Sequence, residues 1–183
     1  MFRHVDGRVR LLAGLVFSAV LMGVLLVPAL GASAHDPEAN KVLEFETMAP
    51  VSGPFVGAAN PVRGLNGGGL PWVIASAKGE LAANGAIEVH VRGLVLDPND
   101  PRVPANLKGV NPIDHFAVLV SCLTNGFPRD PGAPALSAGL FPATTTGNMD
   151  AEGMVALPHP CVAPVIFVTS PAHAWFAATG VGM

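Results

Sequence analysis

Charged side chains are scarce in this chain. Asp, Glu, Lys and Arg make up 13% of its 183 residues, about half the roughly 25% usual in soluble globular proteins, which sets aside a highly charged disordered chain. Ten basic residues against thirteen acidic ones leave no basic excess, so neither nucleic acid nor a nucleotide is an expected partner. Tyr is absent, aromatic residues come to 6%, and only two Cys are present. After residue 34 no long stretch places apolar residues every three to four positions, which excludes a helical bundle. What the chain has in quantity is Gly and Pro, 21 and 18 of them. Each costs a helix interior about 1 to 3 kcal/mol, so short strands and turns are the expected grammar.

Residues 1–34 read as a secretory signal peptide. Arg3, Arg8 and Arg10 form a positive n-region, an uncharged apolar run covers residues 11–27, Pro28 breaks it, and Ala32-Ser33-Ala34 supplies the small-x-small pattern of a cleavage site. Cleavage after Ala34 would leave His35 first, and residues 35–183 as a single secreted β domain, outside the cytoplasm or in the cell envelope. An uncleaved anchor is the competing reading, because the run is at the short end of what spans a bilayer; the membrane enters only through this segment. Cys122 and Cys161 are the only cysteines. In an oxidising compartment an even pair is expected to form a disulfide, which over a loop of about 40 residues adds roughly 4 kcal/mol on the chain-entropy model.

The segment after the leader predicts an antiparallel β-sandwich, or a partly open barrel, of about seven to nine strands. Residues 42–48 alternate, with Leu43 and Phe45 on one face and Glu44 and Glu46 on the other. Residues 49–71 are expected as a loop or irregular edge. Residues 72–96 form a hairpin around Asn84-Gly85, and the faces decide its register. A two-residue turn would mix Lys78 and Glu80 with Val91 and Val89. A three-residue loop, Ala83-Asn84-Gly85, aligns Leu81 with Ile87 and Gly79 with Val89, so the apolar residues share one face. Lys78, Glu80, Glu88, His90 and Arg92 are left on the other. Residues 97–112 are a Pro-rich connection with one helical turn near Ala105, and residues 114–124 a central strand apolar on both faces. Residues 125–140 are expected as a second flexible connection. A hairpin over 144–157 is expected to turn at Asp150-Ala151-Glu152-Gly153, and a last strand pair, 165–169 and 175–179, to join across residues 170–174.

The sharpest chemical signal is His35. A mature N-terminal His offers an α-amine and a ring nitrogen to one metal, and one more imidazole would suit Cu(II). His115 and His173 are the candidate second ligands taken forward from a set that also includes His90 and His159. The arrangement is similar to the copper site of lytic polysaccharide oxygenases and of periplasmic copper carriers; the resemblance covers one terminal residue and export, and it implies a copper carrier or oxidase. The plainer reading of His35 is a solvated tail. His90 reads as an exposed strand partner. Asp114 and His115 are adjacent and on a strand point to opposite faces, which argues against a catalytic pair.

No Gly-x-Ser-x-Gly or His-Glu-x-x-His pattern marks a hydrolase. Glu44 and Glu46 have a spacing a glycosidase pair might share, but read as a solvated strand face. The run Asp97, Asn99, Asp100 lacks the Gly of a calcium loop and reads as turn capping. Gly64 to Gly69 precedes a strand rather than a helix and makes no phosphate cradle. Trp72 and Trp175 are sugar-stacking candidates, but each begins a predicted strand, where a Trp is more often core or rim. The sum is an exported, disulfide-stapled, non-enzymatic binding or structural module without a cofactor, its ligand undetermined. A copper protein using His35 is the alternative, and a secreted hydrolase the third.

Overall fold

The computed structural model describes residues 40–124 and 135–180. Residues 1–39, with the expected signal segment and His35, the Pro-rich stretch 125–134 and residues 181–183 lie outside them. The described residues are mostly strand, arranged in antiparallel sheets without a closed barrel. Eleven strands occur among them: β1 (Lys41–Phe45), β2 (Ala49–Pro50), β3 (Trp72–Val73), β4 (Ser76–Ala82), β5 (Ala86–Arg92), β6 (Val95–Leu96), β7 (His115–Leu123), β8 (Leu136–Pro142), β9 (Met149–Met154), β10 (Val162–Thr169) and β11 (Trp175–Ala178). They form a four-stranded sheet in the order β1-β4-β5-β9, a five-stranded sheet in the order β2-β11-β10-β7-β8, and the pair β3-β6.

The apolar alternation read in the sequence decides what each sheet buries. Leu81, Ile87, Val89, Val91, Met149 and Ala151 from the four-stranded sheet join Phe116, Val118, Val120, Ile166 and Val168 from the five-stranded sheet in one hydrophobic cluster. Trp72 closes it, its ring stacked 4.1 Å from that of Phe176 and edge-on to Phe116 at 6.2 Å. Burying a large side chain of this kind contributes about 1.5–3 kcal/mol. β7 lies between β10 and β8 and is buried on both faces along most of its length, as its double apolar pattern predicts. Cys122 near the end of β7 is bonded to Cys161, just before β10, so the expected disulfide links the ends of two neighbouring strands.

The hairpin register matches the one argued from the faces: Leu81 pairs with Ile87 and Gly79 with Val89. Gly85 takes φ +90°, and the Ala86 amide donates to Asn84 Oδ1 at 3.0 Å. The outer part of this hairpin is a sheet of its own, Trp72 opposite Leu96 and Val73 opposite Val95. The helical turn near Ala105 is a 3-10 turn over Ala105–Leu107.

Two expectations are overturned. Residues 136–140 are not a connection: they belong to β8, which pairs with β7 from His115 opposite Pro142 to Val120 opposite Leu136. β8 is an edge strand, so its Gly139, at φ +133° beside a register shift, and its terminal Pro142 are tolerated where a central strand would exclude them. Asp150-Ala151-Glu152-Gly153 is not a turn either but the middle of β9. Asp150 and Glu152 point out, while Ala151 is buried; this alternation prevails over the turn composition. The turn falls on residues 144–148 instead. There Gly147 has φ +73°, its amide donates to the Thr144 carbonyl at 2.9 Å, and its carbonyl accepts from the Leu94 amide at 3.0 Å. Within 49–71, expected as irregular, Ala49–Pro50 makes a two-residue edge pairing with β11.

Candidate functional site

The outer face of the four-stranded sheet is assembled by register. With Leu81 and Ile87 turned inward, Ser76, Lys78 and Glu80 of β4 stand outward, opposite Arg92, His90 and Glu88 of β5. β9 sets Asp150 opposite His90 and Glu152 opposite Glu88, and β1 sets Glu44 opposite Glu80. Glu44, Glu80, Glu88 and Glu152 therefore form one row across all four strands. Neighbouring strands lie about 4.8 Å apart, and like charges directly opposite are destabilising. The next row is Lys78, His90 and Asp150. By contrast, the strands of the five-stranded sheet contain no Asp, Glu, Lys or Arg at all.

Cations from within the chain offset part of the repulsion. Lys41 Nζ lies 3.4 Å from Glu44 Oε2 and 3.2 Å from Glu80 Oε2. His90 Nε2 is 2.6 Å from Glu88 Oε1, and its Nδ1 is 2.7 Å from Asp150 Oδ1. Arg92 Nη2 donates to the same Asp150 oxygen at 2.7 Å, while its Nη1 donates to the Val91 and Met149 carbonyls. The hydrogen bonds to Asp150 and then Glu88 raise the His90 pKa above its ordinary 6.5, against a small opposing effect of burial. His90 and then Arg92 hold the Asp150 carboxyl below its ordinary value. With both ring nitrogens facing carboxylates, His90 is arranged as a cation donating twice and has no free lone pair for general-base chemistry.

The face carries shallow depressions rather than a cleft. One, of about 300 Å³, is lined by Glu46, Ser76, Ala77, Lys78, His90 and Arg92. It lies where β1 stops: β1 pairs with β4 only over residues 79–82. A second runs along Glu44, Glu80 and Glu88, and another, of about 260 Å³, reaches Glu152.

The residues singled out in the sequence are distributed as follows. His90 stands among Lys78, Glu80 and Arg92 as expected, but Asp150 and Glu152, which complete its surroundings, come from β9 and not from the expected turn. His35 lies outside the described residues. His115 begins β7 and His173, at φ +68°, sits in the β10–β11 turn; the pairing of Thr169 with Ala117 brings both to the same end of the five-stranded sheet. Among the described residues no group of three or more His, Cys, Asp or Glu side chains is gathered for a metal. His115 Nδ1 does meet Asp114 Oδ1, at 3.3 Å; Asp114 precedes the strand, so the alternation that argued against this contact does not apply. Glu44 lies on the flat row beside Lys41, and Glu46 is beyond the end of β1.

Asp97 and Asp100 cap turns through the Asn99 and Arg102 amides, both at 2.8 Å. Hydrogen bonds from the Arg102 side chain and then from its backbone amide bring the Asp100 pKa to about 2. Trp72 and Trp175 are buried at 3% and 5% exposure, so neither is a stacking platform. Comparison of the chain with protein-family models, curated proteins and solved structures finds no match.

Proposed function

We propose that this chain is an exported binding module, a disulfide-stapled β-sandwich whose working surface is the charged outer face of its four-stranded sheet. Four glutamates in register across that sheet are the observation that carries the reading. The inner face needs apolar residues, but nothing in the packing requires a Glu at each outward position of one row. Opposing like charges cost stability, and local rules are broken in this way chiefly at functional sites. The row suits a partner bearing cationic groups. Hydrogen bonds among His90, Arg92 and Asp150 order these three side chains before any partner arrives, which limits the ordering cost of association. The sandwich reading is supported by the common hydrophobic cluster of the two large sheets, and export by the leader pattern and the disulfide.

The test is a titration of the isotope-labelled domain with a deca-arginine peptide, followed by amide shifts. Saturable changes confined to residues 41–46, 76–92 and 149–154 are expected, with affinity reduced about tenfold in the double variant Glu80→Gln/Glu152→Gln. Changes centred elsewhere, or affinity unaltered by the double variant, would overturn the assignment. The intact mass of the secreted product tests export, and a chain beginning at His35 is expected.

A further inference from the structure

We infer that the glutamate row is gated by a proton on His90: the charged imidazole acts as an internal counter-ion that competes with a cationic partner, and the neutral ring leaves the row open to one. The inference rests on the reading of this face as the binding surface and concerns its regulation.

The geometry carries the argument. Lys41 and His90 stand where cations of a partner would have to stand, Lys41 between Glu44 and Glu80 and His90 Nε2 against Glu88. Lys41 keeps its charge across the neutral range, whereas an imidazole changes charge there. A neutral ring has one N–H in place of two, so it can donate to Glu88 or to Asp150 but not to both, and the face becomes more negative by one unit.

The groups around His90 set the direction of its bias. β4 presents Lys78 directly opposite and Glu80 diagonally; β5 presents Glu88 and Arg92 two residues to either side; β9 presents Asp150 opposite and Glu152 diagonally. Glu46, beyond the end of β1, shares the depression that His90 lines. Glu44 of β1, with Lys41 beside it, shares a second depression with His90. Six carboxylates against the cations Lys41, Lys78 and Arg92 favour the charged ring, in keeping with the upward shift of its pKa. The row is thus closed under acidic conditions and opens as pH rises past the ordinary imidazole range.

Calorimetric titration with deca-arginine blocked as the N-acetyl amide, whose own charge is then constant, at about pH 5.5 and about pH 9 tests the gate. Affinity of the parent protein is expected to rise about threefold to tenfold between the two, and His90→Gln, which holds no proton-dependent charge, is expected to lose that rise. Asp150→Asn, which removes one of the two carboxylates on the ring, should move the midpoint of the rise to lower pH. A parent without pH dependence, or a dependence retained in His90→Gln, overturns the gate and leaves the binding surface standing. Absence of deca-arginine binding by the parent at either pH overturns the surface itself, and the gate with it.

Discussion

His90 and Asp150 stand directly opposite one another on β5 and β9, and their side chains meet at 2.7 Å. Because Arg92 donates to the same carboxylate oxygen, one residue of an edge strand is gripped by two donors of its neighbour. The contact fixes the register of β9, since a slip of one residue would turn Asp150 inward and Ala151 outward.

A consequence follows for stability against pH. The folded pKa of His90 lies above its ordinary 6.5, so the stability it contributes is fully present below 6.5 and is lost as pH rises through the raised folded value. Melting temperatures measured between about pH 5 and pH 9 should fall on the alkaline side in the parent, and this part of the fall should be missing in His90→Gln. Asp150 works with the opposite sign. Its folded pKa lies below the ordinary 3.8, so its contribution is present above 3.8 and is lost as pH falls through the lowered value.

The disulfide should dominate covalent stabilisation. Cys122 and Cys161 are 39 residues apart, and opening such a loop is expected to cost up to about 4 kcal/mol on the chain-entropy model. Equilibrium denaturation of Cys122→Ser/Cys161→Ser beside the parent measures this, and equal midpoints would refute a structural role.

Glu152 ends the glutamate row opposite Glu88. Glu152→Lys replaces a repulsion with an attraction and should stabilise the domain by about 0.5–1 kcal/mol, while weakening its binding of deca-arginine. A variant that is both more stable and weaker in binding is the expected signature of a surface kept for function; denaturation and titration of the same sample decide it.

Gly85 closes the β4–β5 hairpin at φ +90°, and a Cβ there would collide with the Val155 carbonyl oxygen. Gly85→Ala should therefore cost about 2 kcal/mol or more, read as a lower denaturation midpoint. Asn84 supplies the internal check: Asn84→Ala removes only the bond to the Ala86 amide and should cost about 1 kcal/mol.

What the sequence made legible was local. The faces of residues 76–92 were enough to choose the three-residue loop and so the register of β4 and β5, because a shift by one would have mixed Lys78 and Glu80 with the core. The double apolar pattern of β7 and the pairing of two lone cysteines were equally plain. Strands that pair across long sequence separations were not. Asp150 and Glu152 looked like parts of a turn, since Asp-Ala-Glu-Gly has both turn composition and strand alternation, and only the neighbouring β5 decides between them. β8 carries a Gly and a Pro that an edge strand accepts and a central one does not, and its edge position could not be read from its own residues. The glutamate row therefore stayed hidden although every member was visible: the hairpin register sets Glu80 opposite Glu88, but Glu44 and Glu152 arrive from strands whose partners the local pattern does not name.

The shortness of β1 makes the two internal counter-ions depend on different things. β1 is an edge strand of five residues, with a register shift between Lys41 and Leu43, and it covers only the last part of β4. Such a strand opens locally at less cost than the global unfolding of the domain, and when it frays it carries Lys41 away from Glu80, together with Glu44. His90 is held in β5, between two other strands, and leaves the row only by giving up its proton. One counter-ion therefore depends on the pairing of an edge strand while the other answers to solvent acidity, and the face has a mechanical equilibrium laid over a chemical one.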